Sequence, residues 1–116
     1  MFVYMLLCAD GSIYTGTAGD LVHRMRDHFE KTPACAAYTR AHKAKYLLGA
    51  WECATRSGAL KAEAAIKRLT RVQKEALLAA PTHLNAENFP GLLEEYRPLP
   101  PGDERLTAVR SAYPCT

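Results

Sequence analysis

The chain lacks any apolar stretch long enough to cross a membrane. Its longest apolar run, Met1 to Ala9, is about half of the ~18 residues that a span requires. That run has no basic stretch ahead of it and no small-residue cleavage pattern, so it reads as a strand rather than a signal peptide. Paired cysteines are missing too. The four present stand at positions 8, 35, 53 and 115, and no two have the spacing of a zinc knuckle or a redox motif. A disulfide framework is therefore not expected. Cys8 and Cys53 read as small strand hydrophobes, and the protein as cytoplasmic. No Gly-rich phosphate loop, no HExxH and no serine or cysteine in a nucleophile motif occurs, which excludes those routes to phosphate binding and hydrolysis. Internal repeats and low-complexity tracts are absent as well.

What is present is the composition of one globular domain: 116 residues, 48% hydrophobic and 23% charged. A core can form at this length without disulfide or metal staples. The net charge of +3 is unevenly spread. Residues 1–79 hold twelve Lys/Arg against seven Asp/Glu, whereas residues 80–116 hold three against five. The first segment is mildly basic and suits a polyanionic partner without requiring one; the second is acidic and rich in proline.

Residues 2–8 and 12–17 are rich in β-branched and aromatic residues and flank Asp10-Gly11, a hairpin signal. Asp20 is placed to cap a helix over 21–30, with Leu21, Met25 and Phe29 as its buried stripe. Residues 32–44 show no clear period and read as mostly loop, and 46–53 as a third strand. Ser57 is placed to cap a helix over 58–69, with Leu60, Ala64 or Ala65, and Leu69 inward. Thr70 and Gln73 match a capping box, which starts a new helix over 71–79 that ends at Pro81. Beyond it lie helix-like pieces near 85–96 and 103–112 among prolines 81, 90, 98, 100 and 101. The expected fold is therefore α/β of the α+β type: a small three-stranded, largely antiparallel sheet flanked by helices, in the order ββαβαα. Residues 1–79 would form the main domain, and 80–116 an irregular C-terminal extension packed on it.

The polar residues that could do chemistry are scattered. Tyr4 and Tyr14 lie on the two hairpin strands, Arg24 and His28 share a helix face, and Glu63 stands one helical turn before Lys67. Taken singly, each has an ordinary structural explanation. Strand tyrosines usually belong to the core, and Glu63 with Lys67 has the orientation of an exposed ion pair worth ~0.2–0.5 kcal/mol.

Their order along the chain is more specific. Tyr4, then Tyr14-Thr15-Gly16, then Asp20-Leu21-x-x-Arg24-x-x-x-His28 resembles the GIY-YIG nuclease superfamily. Phe2-Val3-Tyr4 stands at the first triplet and Tyr14-Thr15-Gly16 at the second. The runs 8–16, 37–40 (Ala-Tyr-Thr-Arg) and 61–70 look most similar to the small stand-alone bacterial members. The resemblance covers roughly residues 2–79. The chain departs from the pattern at Phe2, where the first triplet has its glycine. The late asparagine of the larger homing and repair enzymes has two candidates here, Asn85 and Asn88.

The resemblance implies a metal-dependent endonuclease that hydrolyses phosphodiester bonds in DNA, with RNA not excluded and no membrane partner. It assigns the catalytic set to Tyr4, Tyr14, Arg24, His28 and Glu63. Such types suit the reaction, which needs an activated water, a counter-charge for the developing phosphorane and help for the leaving oxygen. Glu63 would be the one protein ligand of Mg²⁺ or Mn²⁺, an ion that keeps most of its waters. Arg24 would hold phosphate oxygens through its planar fork. Tyr4 would act as general base, with Tyr14 and His28 orienting groups or shuttling protons. Tyr38, Arg40, Lys43, Lys61, Lys67 and Arg71 would contact nucleic acid, giving salt-sensitive and largely sequence-independent binding. Branched, flapped or damaged DNA are the substrates considered, and a monomer is assumed. A binding module that keeps the fold without turnover is the alternative.

A shared site places a condition on the hairpin. A two-residue turn at Asp10-Gly11 would pair residue 4 with 17 and residue 7 with 14, putting the two phenols on opposite faces. Both reach one site only if the loop between residues 8 and 13 has odd length, or a bulge shifts the register.

Overall fold

The computed structural model describes residues 1–115. Strand β1 (Phe2–Cys8) and strand β2 (Ile13–Ala18) form the hairpin, followed by helix α1 (Leu21–Glu30) and the short helix α2 (Ala37–Ala41). Strand β3 (Ala44–Glu52) and helices α3 (Arg56–Lys67) and α4 (Arg71–Ala79) come next. A 3-10 turn (Pro81–His83), strand β4 (Arg97–Pro98) and helix α5 (Glu104–Ala112) complete the chain. The sheet is antiparallel with strand order β2-β1-β3-β4, so it has four strands rather than the expected three. The addition is slight: β4 is a two-residue pairing of Arg97 and Pro98 with Glu52 and Trp51.

Strand β1 is central, and both of its faces are buried. Phe2, Tyr4 and Leu6 point into a cluster with Leu21 and Met25 of α1 and Leu106 and Val109 of α5. Val3 and Met5 point the other way, against Ala59, Ala62 and Ile66 of α3 and Leu77 of α4. This explains why 2–8 is nearly all apolar rather than alternating, as a strand covered on both sides must be. No helix among the described residues is long and apolar enough to cross a membrane. Cys8, Cys35 and Cys53 are buried free thiols, so Cys8 at the end of β1 and Cys53 just past β3 pack as small hydrophobes.

Several local expectations need correction. Part of 32–44 forms α2, a helix of only five residues whose apolar period is too short to register. Helix α3 begins two residues earlier than expected, because Thr55 and not Ser57 accepts the Gly58 N–H at 3.0 Å. Its buried stripe is Ala59, Ala62 and Ile66, while Leu60 is exposed. The small alanines let α3 lie close to the sheet, a fit that a hydrophobicity count favours less than a leucine stripe. The Thr70–Gln73 capping box closes as expected and starts α4. The piece at 85–96 is not a helix but a series of turns, whereas 103–112 becomes α5.

The C-terminal segment supplies core. Leu84, Leu92 and Tyr96 complete the cluster under α3 and α4, and Leu106 and Val109 complete the one under α1. It also repairs the sheet. The β1–β3 register slips between Met5 and Leu6, where one extra residue of β3 bulges out. Arg110 of α5 donates to the freed carbonyls of Leu47 (3.1 and 3.2 Å) and Leu48 (3.0 Å). Leu106→Ala is expected to destabilise the whole domain by ~2–5 kcal/mol. Urea denaturation followed through Trp51 fluorescence measures this; a loss below about 0.5 kcal/mol would mean that α5 contributes little to the core.

Candidate active site

The hairpin meets its condition. Leu7 pairs with Ile13, Leu6 with Tyr14 and Tyr4 with Gly16. The Cys8 N–H donates to the Ser12 carbonyl at 2.8 Å, and the Gly11 N–H to the Cys8 carbonyl at 2.9 Å. Ala9–Gly11 is therefore an odd, three-residue loop. Gly11 takes φ +87°, a conformation that glycine adopts without strain. Tyr4 and Tyr14 emerge on one face with ring centroids 6.3 Å apart.

Gly16 explains itself from the same register. A Cβ built there would lie 2.5 Å from the Tyr4 hydroxyl oxygen and 2.9 Å from the Tyr14 ring. The Tyr4 phenol lies across the bare backbone of its cross-strand partner, and no side chain fits beneath it.

Helix α1 brings the next two groups. His28 is fully buried, and its Nε2 lies 2.5 Å from the Tyr4 hydroxyl oxygen. Its other nitrogen, Nδ1, is 2.7 Å from Thr39 Oγ1 on α2, and that hydroxyl also reaches the Ala36 carbonyl at 3.3 Å. Because the Thr39 hydroxyl donates to Ala36, it accepts from His28 Nδ1–H. Nε2 is then left as the acceptor of the Tyr4 proton. Burial, reinforced by the Arg24 charge, lowers the His28 pKa to about 4, so the ring is neutral at pH 7. Burial and the neighbouring Tyr14 push the Tyr4 phenol well above its ordinary value, against a smaller pull from Arg24. The pair is thus a neutral phenol bonded to a neutral imidazole.

Arg24 lies one turn before His28. Its Nη1 donates to the Ala34 carbonyl at 2.6 Å and approaches Asp27 Oδ2 at 3.4 Å. The guanidinium also faces the Tyr4 hydroxyl, on which it acts as a hydrogen-bond donor and a positive charge. Asp27 is itself held by the Thr32 hydroxyl at 2.6 Å, which with Arg24 keeps its carboxyl below the usual range. Glu63 approaches from α3. It lies close enough that its charge raises both phenols, and Lys67 pairs with it at 3.6 Å while sitting 5.8 Å over the Tyr14 ring. Tyr14 also stacks on Tyr38 of α2 (5.3 Å), and Tyr38 on His42 (4.2 Å). His42 Nδ1 lies 2.5 Å from Asp10 Oδ2 in the hairpin loop, closing the row of rings.

Tyr4, Tyr14, Arg24, His28 and Glu63 thus surround one spot, with Tyr38 and Lys67 at its margin. Of the remaining expected contact residues, two have protein partners and two are exposed. Arg40 donates to the Pro33 and Cys35 carbonyls, and Arg71 to the Gly11 carbonyl and to Glu75. Lys43 and Lys61 are exposed. Asn85 and Asn88 bond to each other within the C-terminal turns. The reading by residue type missed Asp27, His42 and the placement of Thr39, because all three act through other side chains. An aspartate three residues after an arginine was the one available signal, for Asp27.

Comparison with known proteins agrees with the geometry. The family profile of the GIY-YIG catalytic domain matches residues 1–76, and the chain belongs to that family. A UPF0213 protein of Fusobacterium nucleatum is 38% identical over 80 residues, covering 69% of this chain and 78% of its own length. One from Cupriavidus necator is 42% identical over 78 residues, covering 67% and 83% respectively. One from Enterococcus faecalis is 43% identical over 79 residues, covering 66% and 88%. No solved structure matches.

Two measurements test the site as built. Gly16→Ala is expected to force the Tyr4 ring off His28 and to cost ~1–3 kcal/mol of stability. Denaturation midpoints and the Tyr4 hydroxyl environment by NMR would read this, and unchanged values would refute the packing described. The second concerns pH. Below about 6.5 the unfolded chain protonates His28, whereas the folded chain refuses the proton until about 4. Stability should therefore fall as pH drops through that window, and His28→Gln should flatten the slope. An equal slope in the variant would place the titration elsewhere.

Proposed function

We propose that the protein is a metal-dependent endonuclease that hydrolyses phosphodiester bonds in DNA, with low sequence selectivity. The observation that carries the proposal is the convergence of the Tyr4–His28 pair, Arg24 and Glu63 on one face, in a chain of the GIY-YIG family. Glu63 is the carboxylate whose charge both phenols feel. No group of three metal-ligating side chains gathers among the described residues. A donor set of one carboxylate fits Mg²⁺ or Mn²⁺, which keep several waters and accept phosphate oxygens. When bound, such an ion would lower the pKa of a coordinated water and offset the negative charge that Glu63 places beside the phenols.

The chain's own residues supply the rest. Arg24, braced by Ala34 and Asp27, presents its guanidinium to a phosphate oxygen and stabilises the negative charge that grows there. Tyr4 accepts a proton from the attacking water as it passes its own to His28 Nε2. The phenol therefore need not exist as a free phenolate, which its burial opposes. Thr39 keeps Nε2 as the receiving atom. Lys67 draws charge from Glu63 and lies over Tyr14, where it meets an incoming phosphate. Contacts of this kind are equally compatible with RNA.

The test is cleavage of labelled single-stranded, duplex, flapped and branched DNA with Mg²⁺, Mn²⁺ or EDTA. Cutting should depend on the metal and fall by at least about 100-fold in Glu63→Gln and in Tyr4→Phe, with folding intact. Binding without cutting under every condition would refute turnover and leave a nucleic-acid-binding module.

A further inference from the structure

Helix α3 carries a second surface beside the one that bears Glu63. Lys61, Ala64, Ala65 and Arg68 follow one another at helical spacing and form one wall of a groove of about 570 Å³. The opposite wall comes from the C-terminal segment, chiefly Phe89 and Pro90. Phe89 is half-buried and anchored on the cluster beneath α3, so its ring is fixed rather than free. The two alanines leave the helix side flat.

The groove is apolar along its length and basic at its rim. Lys61 and Arg68 stand seven positions apart, which on a helix is roughly 10 Å. Neither makes an ion pair among the described residues. Glu94 feels the Lys61 charge, but its carboxylate is taken up by the Thr55 hydroxyl and N–H. Two of the other α3 and α4 cations are already paired, Lys67 with Glu63 and Arg71 with Glu75. Two unpaired cations flanking a fixed aromatic ring and a flat apolar wall match a segment that carries both phosphates and exposed π-faces. Duplex DNA hides its base faces, whereas a single strand offers them.

We infer that the groove between α3 and residues 88–92 is a subsite for a single-stranded segment of the nucleic acid, stacking one base on Phe89 with flanking phosphates on Lys61 and Arg68. Ala64 lies about 100° around the helix from Glu63, so the groove opens beside the carboxylate without overlapping it. The inference rests on the nuclease reading for its purpose, and it would give that reading a preference for flaps or frayed ends over continuous duplex. The far wall lies beyond residues 1–76, which the family profile matches.

The experiment measures binding of a fluorescein-labelled oligo(dT) 12-mer and of a duplex of equal length to the full chain, by anisotropy in EDTA and low salt. Single-strand binding should weaken about 5- to 30-fold in Phe89→Leu, which keeps the buried anchor but removes the ring, with duplex binding unchanged. The Lys61→Ala/Arg68→Ala double variant should weaken the single strand and lessen its salt dependence. Single-strand affinity within twofold of the parent in both variants overturns the subsite and points to a protein occupant. Because no metal is present, this result stands apart from turnover. Loss of binding in the variants supports the groove even if the parent never cuts, and cleavage with unchanged binding refutes the groove alone.

Discussion

The number of residues in one loop decides whether this protein has a site. Three residues between Cys8 and Ser12 put Tyr4 and Tyr14 on the same side of the sheet, and either adjacent loop length would separate them. The constraint is topological, since side chains alternate along a strand, and no later packing can undo it. The other site features follow from that choice. Gly16 must be bare because the register places it under the Tyr4 ring, and His28 must come from a helix covering that face. Asp10 in the loop ties the outcome to α2 through His42 and the stacked rings of Tyr38 and Tyr14.

The electrostatics of the site follow from its burial. A buried phenol and a buried imidazole both prefer to be neutral, and their shared hydrogen bond lets each remain so. The charged members, Arg24 and Glu63, stay toward the surface, where solvent and ion partners support them. The neutral pair thus lies inside the fold and the charged groups lie nearer its surface, the order that the proposed hydrolysis of a polyanion would use.

Much of this was legible in the sequence, for physical reasons. The hairpin, α1 with its Asp20 cap and the Thr70–Gln73 box depend on local chemistry within four residues, which a linear reading sees. The parity of the loop followed from requiring two named phenols to meet. The stripe of α3 was misplaced because close approach of a helix to a sheet favours alanine, and only tertiary context announces that. The turns at 85–96 defeat a periodicity argument in the opposite direction. Phe89, Leu92 and Tyr96 turn inward there at helix-like spacing, yet the backbone that carries them is a run of turns anchored on the core below. His42 was invisible as a site residue because its partner Asp10 lies on a distant segment, and Asp27 showed only as an aspartate three residues after Arg24.

The helix that bears Glu63 is tied down beyond both ends. At its start, Glu94 accepts from the Thr55 N–H and hydroxyl, and the Tyr96 hydroxyl donates to the Gly58 carbonyl at 2.6 Å. Just past its end, Arg71 donates to the Gly11 carbonyl in the hairpin loop. In mechanical terms α3 is a beam clamped at two supports rather than a cantilever. A cantilever swings most at its free tip, so any loosening of its root is magnified at the load. A beam with two fixed ends deflects little along its span, and either support can slacken while the other still sets the position. Glu63 rides on that span, so its place beside the phenols is set from both supports.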